Sequence, residues 1–476
     1  MQQLSGLDAS FLTLETDNAP MHVGGVSIVS GRTPHGPLKF EAVRELLASR
    51  VRMIPTLQRK LASVPLGLGR PYWVDDDAFD LGYHLQKTQL PAPSGRKELR
   101  ALVNYEFART LDRDRPLWQI LFVENVDSLD QFEKGSVALI TRVHHAAIDG
   151  ISGAEIMAAL YDPAPDPPPP GTTLKAGQND APVGRGPTRL DLLRAAGRDF
   201  DAGVFSSTVA ETVRGLAKSG AVWALGKVTP PPLPFSAPST LFNQSVSQKR
   251  SWSGTRLQLE RFKAIRRAVG CTVNDAVLAV CSGALRAYLE QRAALPERSL
   301  VAMVPVSIRD DDEAGSGGNL VSAMLVSLAT DVADPQARLE AIQTGAKEAK
   351  TYHQAIGART LMEYSRLVPF GIGGLAARLY TRGHLAEKHK PIFNVVITNV
   401  PGPQVPLYLA GAELLAHYGT APIFDGVGLI MPVFSYNGTL SISASSCPEM
   451  LDDARDLTRL VETSLHELEA ALGLGP

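Results

Sequence analysis

A strand-like run, Ser136-Val-Ala-Leu-Ile-Thr-Arg-Val, ends in two histidines, and an aspartate and a glycine follow closely: His144-His145-Ala-Ala-Ile-Asp149-Gly150. Imidazole titrates near neutrality, so a histidine delivered to the edge of a cleft suits general-base chemistry. Neighbouring side chains on a strand point to opposite faces. His144 and His145 should therefore not act on the same atom, which argues against a metal ion shared between them. No other segment supplies zinc-like spacing, and the three cysteines (Cys271, Cys281, Cys447) are odd in number and far apart. Asp149 can hold the turn or orient a ring, and Gly150 permits a positive φ or a close backbone approach. The competing reading makes both histidines core residues at a strand end.

The elements around this segment follow from periodicity. Ser152 and Glu155 form a capping box for a helix just after the turn. Upstream, His22 to Gly31 reads as a strand. Phe40 to Ala62 has helical spacing, with a break or kink at Pro55. Further strands are expected at 71–74, 117–126 and 136–145, with a helix around 99–111. Residues 162–187 contain Pro-Ala-Pro-Asp-Pro-Pro-Pro-Pro-Gly and a polar Gly/Pro-rich run, which read as a partly disordered linker. A helical stretch at 190–225 and a second proline cluster at 229–238 complete the connection.

Beyond it, Gly270 should stop one helix and Thr272 cap the next, whose apolar positions 277, 278, 281, 284, 285 and 288 follow the helical period. Strands are expected at 299–308, 320–329, 393–400, 428–436 and 439–446, and a last helix at 453–472. At 476 residues the chain is long for one core, since domains run roughly 100–200 residues. The expected organisation is a domain at 1–161, a linker at 162–238 and a domain at 239–476, both of α/β sandwich type.

With its flanking blocks, this pattern resembles a known family. His144-His145-Ala-Ala-Ile-Asp149-Gly150 is similar to the H-H-x-x-x-D-G signature of CoA-dependent acyltransferases. Leu4-Ser-Gly-Leu-Asp-Ala-Ser-Phe-Leu12, Pro116-Leu117-Trp118, Asn274-Asp275 and Phe393-Asn-Val-Val-Ile-Thr-Asn399-Val-Pro-Gly-Pro403 resemble blocks of bacterial wax ester synthase/diacylglycerol acyltransferases. They stand in that family's order and span almost the whole chain.

The resemblance implies two chloramphenicol-acetyltransferase-like domains with an active-site tunnel at their interface. It implies long-chain acyl transfer from acyl-CoA to diacylglycerol or a long-chain alcohol, with His145 as base and no acyl-enzyme. No Gly-x-Ser-x-Gly elbow competes. Asp149 would be structural and pair with Arg309. Alternatively, Arg309 stands exposed beside Asp310-Asp311-Asp312. An oxyanion donor is required because charge develops on the carbonyl oxygen. Asn274 is a candidate, against the reading that Thr272 and Asp275 simply cap the helix. Asn399 could line the tunnel or merely end a strand. Pro116 and Trp118 should brace the cleft by packing.

The net charge of −2 offers no global basic field for nucleic acid. No run reaches about 18 uninterrupted apolar residues, so a spanning helix is not expected; residues 427–443 alternate and turn like strands. The first residues show no basic region leading into an apolar one, and a cytoplasmic setting is expected. Residues 359–390 mix apolar clusters with Arg359, Arg366, Arg378, Arg382, Lys388 and Lys390. They read as ordinary surface helices or as a segment docking on the inner membrane face or a lipid droplet. No cofactor or metal is expected, acyl-CoA being a substrate. The other classes in play are a condensation-type transferase with a carrier-bound donor and a non-catalytic lipid-binding or droplet protein.

Overall fold

The computed structural model describes residues 1–65, 69–126, 131–147, 160–166, 235–307, 321–356 and 385–475, with a few single positions between them. Two six-stranded mixed sheets form its frame. The first runs in the order 408–409, 412–420, 22–29, 137–144, 118–124, 85–89, antiparallel except for its last pair. The second runs 251–258, 439–446, 429–436, 395–401, 301–307, 321–327, with parallel pairing on both sides of 395–401.

The second sheet packs under helices Leu259–Val269, Val273–Glu290, Pro335–Ile356 and Ala454–Ala471 around one large core. Gly270 ends the first of these at φ 69°, as its position predicts. Thr272 caps the next: its hydroxyl accepts from Asp275 N at 3.1 Å, and Asp275 Oδ2 accepts from Thr272 N at 2.8 Å. The first sheet is covered on both faces. One face meets the helices Gly6–Leu14 and Phe40–Val51. The other packs on the helix Arg96–Phe107 and on Trp252 of the second sheet. Strands 429–436 and 439–446 turn at Asn437 and Gly438, both at positive φ. Among the described residues no single helix is long and apolar enough to cross a membrane.

The break expected at Pro55 is present: the helix from Phe40 stops at Val51, and Pro55 opens a 3-10 turn. Other features depart from the pattern reading. Residues Arg59–Ala62 then form a strand paired with Tyr72–Asp75, because the ladder partner outweighs their helical spacing. The helix Pro335–Ile356 carried no strong pattern and was not expected.

Most consequential is the strand Ala412–Thr420, far along the chain, which pairs with His22–Val29 and joins the first sheet. Residues 408–420 thus leave the 239–476 half and complete the sheet built by the other. Asp162, at the start of the expected linker, exchanges backbone hydrogen bonds with Tyr408 at 2.7 and 2.8 Å. Its carboxylate is gripped by buried Arg50, whose Nη2 lies 2.5 Å from both oxygens. Asp162→Ala removes that carboxylate while the guanidinium stays buried, and breaking such a pair costs about 3 kcal/mol or more. Urea unfolding should show this as a lower midpoint at unchanged slope.

Candidate active site

The strand Val137–His144 runs through the interior of the first sheet, and every residue of it is buried. His144 is its last residue; His145 opens a 3-10 turn through Ala147. Each histidine is fixed through its backbone by a different neighbour. His144 N–H donates to the Leu117 carbonyl at 2.9 Å, and His145 N–H donates to the Met21 carbonyl at 2.7 Å. Leu117 belongs to the Pro-Leu-Trp element. Met21 has its side chain in the core of the second sheet, so the turn is held at the seam between the halves.

The two imidazoles have different surroundings. His145 is half-buried and stacks face to face on Phe11, with centroids 3.7 Å apart at 15°. Phe11 comes from the N-terminal helix Gly6–Leu14 and touches both cores. Ser5 starts that helix by accepting from Asp8 N at 3.1 Å. The Leu4–Leu12 block thereby gains a physical role, since it carries the ring that fixes the plane of His145.

His144 is fully buried. Its Nδ1 accepts from the Ala146 N–H at 3.0 Å, which leaves Nε2 as the donor side of the ring. Nε2 lies 3.3 Å from Glu15 Oε1, close enough for charge contact but poorly aligned for a hydrogen bond. Glu15 also accepts from Met21 N at 3.1 Å and from Arg113 Nε and Nη2 at 3.0 and 2.7 Å. Burial pushes this carboxyl up, but His144 and the Arg113 guanidinium more than offset it, and its pKa falls to about 2. The result is a carboxylate set against His144, which in turn holds the Ala146 N–H of the His145 turn.

Glu15, Phe11, Met21 and Arg113 were not picked out as site residues in the sequence. The Leu4–Leu12 block hinted at the helix, but no local pattern marks a glutamate that acts across the chain. His22 was missed as well. It faces His144 in the ladder and is fully buried, and burial together with the Arg142 guanidinium holds its pKa well below the ordinary range. A cavity of about 10 Å³, water-sized, adjoins it between the halves, beside Arg250 and Thr420.

The remaining predicted residues are sorted by their contacts. Trp118 is buried, donates from Nε1 to the Leu57 carbonyl at 2.7 Å and stacks on His84 at 4.4 Å. Pro116 is buried beside it. The element braces the histidine strand by packing and through Leu117. Asp275 is spent on the helix cap described above. Asn274 and Asn399 are brought together: Asn399 Nδ2 donates to Asn274 Oδ1 at 3.3 Å. The Asn274 amide N–H groups have no partner among the described residues. Asp149, Gly150 and Arg309 lie outside the described residues, as does nearly all of 359–384.

Comparison with known proteins places this geometry. Residues 4–277 match the wax ester synthase/diacylglycerol acyltransferase catalytic domain, and 317–469 match the C-terminal domain of the same family. A Mycobacterium tuberculosis H37Rv protein provisionally named diacylglycerol O-acyltransferase is 35% identical over 95% of this chain and 87% of its own length. A similarly named Mycobacterium bovis protein is 34% identical over 98% of both chains. Among solved structures, the wax ester synthase/diacylglycerol acyltransferase of Marinobacter aquaeolei VT8 aligns over 99% of this chain and 100% of its own. Its TM-score is 0.69 and its identity 29%. The starter condensation domain of rhizomide synthetase, at 12% identity over 99% of this chain and 94% of its own, shares the fold with a TM-score of 0.54.

Glu15→Gln tests the lock. A carboxylate whose pKa is depressed in the folded state stabilises fully above its unfolded value, near 4.5, and loses that contribution as pH falls toward 2. The wild type should lose about 1–2 kcal/mol through this group between pH 7 and pH 3.5, and Glu15→Gln should lose less over the same window. Urea titrations of both proteins at the two pH values measure the difference.

Proposed function

Because this chain belongs to the wax ester synthase/diacylglycerol acyltransferase family, we propose that it moves a long-chain acyl group from acyl-CoA to the free hydroxyl of diacylglycerol, and to long-chain alcohols, with His145 as general base. The observation that carries the assignment is the divergence of the two histidines. His144 is sealed away and locked to Glu15, whereas His145 is half-buried on a turn pinned between the halves.

In this reading the His145 imidazole takes the proton of the acceptor hydroxyl. The oxygen attacks the thioester carbonyl, and charge collects on the carbonyl oxygen. The tetrahedral adduct collapses by breaking its carbon–sulfur bond, and the imidazolium returns its proton to the leaving thiolate. One ester and one CoA thiol result, with no acyl-enzyme. Asn274, with amide N–H groups unspent at a helix N-terminus, is a donor of the right kind for the oxyanion. Asp149 and Arg309 are proposed as a structural pair that steadies the turn from the far side. The domains 1–161 and 239–476 with their linker, a cofactor-free reaction, and residence on the inner membrane face or lipid droplets belong to the same proposal, since both substrates partition into lipid.

The test is CoA release from palmitoyl-CoA with dioleoylglycerol or hexadecanol as acceptor. His145→Ala should fall about 10²–10⁴-fold while melting like wild type. Acceptor-dependent turnover that survives the substitution would remove His145 from the mechanism. Arg309→Met tests the pair: undiminished folding and activity would dissolve it.

A further inference from the structure

The late strand Ala412–Thr420 brings into the first sheet an imidazole that the chemistry above does not use. His417 pairs with Ser27, and its Nδ1 lies 2.9 Å from Ser27 Oγ. The ring covers Gly25: a Cβ there would sit 2.7 Å from His417 Cε1 and 2.8 Å from Nε2, so only glycine leaves room for it. Phe434 of the second sheet meets the ring edge-on at 4.7 Å. His417 therefore stands at the seam, like His145.

The ring's protonation follows from its neighbours. Ser27 is fully buried, and the one acceptor its hydroxyl meets among the described residues is His417 Nδ1. The Tyr161 hydroxyl approaches Ser27 without completing a bond of good geometry. A buried hydroxyl donates where an acceptor is offered, so Nδ1 accepts and Nε2 carries the hydrogen. Nε2 has no partner among the described residues. Burial holds the imidazole pKa down at about 4, so the ring is neutral near pH 7. Yet His417 retains accessible surface. Among the described residues, partial exposure leaves the Nε2 edge of the ring open to a partner.

That face of the sheet leads to His145. His22 pairs with His144, Val23 with Val143 and Gly25 with Thr141. Alternation puts Val23, Gly25 and Ser27 on the face opposite His22. His145 lies just past the strand end, and its ring stacks on Phe11, which packs on the core that holds Val143. His417, bonded to Ser27 and lying over Gly25, is on the face of Val23 and Gly25. Four residues of strand separate the level of Gly25 from His145, about 13 Å at 3.3 Å per residue. The surface between is apolar, lined by Val23 and Val143, while Thr141 spends its hydroxyl on the Gly25 carbonyl at 3.3 Å.

We propose that His417 Nε2–H donates to an ester carbonyl of the acyl acceptor and so makes the protein select diacylglycerol over acceptors that carry no carbonyl. A hydrogen bond at each end takes up about 2.9 Å of the separation, and two imidazole side chains take up more. What remains matches a hydroxyl and a carbonyl a few bonds apart, as in diacylglycerol. A long-chain alcohol offers the hydroxyl alone. This rests on the acceptor assigned under the proposed function.

The experiment compares 1,2-dioleoylglycerol with its dioleyl diether, which has the same chains and hydroxyl but no carbonyl, using palmitoyl-CoA as donor. Wild type should show a kcat/KM about tenfold higher for the ester, the size expected when a donor is left unpaired. His417→Phe should erase that preference. No preference in wild type, or a preference that persists in His417→Phe, overturns the proposal. Should that variant fail to fold, Ser27→Ala frees the ring's tautomer and should narrow the preference; an unchanged ratio there overturns it equally. Wild type that turns over neither acceptor refutes the acceptor reading itself, and this inference with it.

Discussion

The hydrogen bond from His145 N–H to the Met21 carbonyl joins the two cores at the histidine pair. Met21 buries its side chain under the second sheet, and the next residue starts the strand that pairs with the histidine strand. A base placed a fraction of an ångström wrong loses much of its effect, and a turn anchored to one sheet alone would drift whenever the halves shifted. Here the turn is fixed to Leu117 on one side and to Met21 on the other, and Phe11, which touches both cores, sets the plane of the ring. The remaining architecture can be understood as keeping that junction still.

Electrostatics reinforce the same point. Charge near the turn is concentrated where it is matched: Glu15 with Arg113, Arg142 with Glu106, Arg50 with Asp162. Burial holds the pKa of His22, His84 and His417 down. Neutral buried rings supply directed donors and acceptors without the cost of burying ions. Glu15 is the exception, and its charge is tolerated because guanidinium and backbone donors surround it.

Much of this was legible in the sequence because it is local. Alternation identified the histidine strand, the Gly270 stop and Thr272 cap sat where their chemistry requires, and the ordered blocks pointed to the family and fold. Pro116 and Trp118 behave as packing residues, as a buried indole usually does. What could not be read is what acts at long range in the chain. Glu15 reaches His144, Arg50 grips Asp162 and His417 meets Ser27 across a separation of 390 residues. Nothing in the Ala412–Thr420 segment says which sheet it joins, since strand periodicity specifies a buried face and not a partner. Arg59–Ala62 failed for the related reason that a ladder partner overrides weak helical spacing.

The late strand also sets the order in which the molecule can be made. Until Ala412–Thr420 leaves the ribosome, His22–Val29 is an open edge with unpaired backbone groups, and such edges invite pairing with other chains. At ordinary elongation speeds the nearly 400 intervening residues take roughly 20–80 s to synthesise. For the larger part of that interval the segment carrying the histidine pair exists without the strand that completes its sheet. The first half is therefore not a self-sufficient folding unit, and its sheet stays incomplete until residues 412–420 arrive.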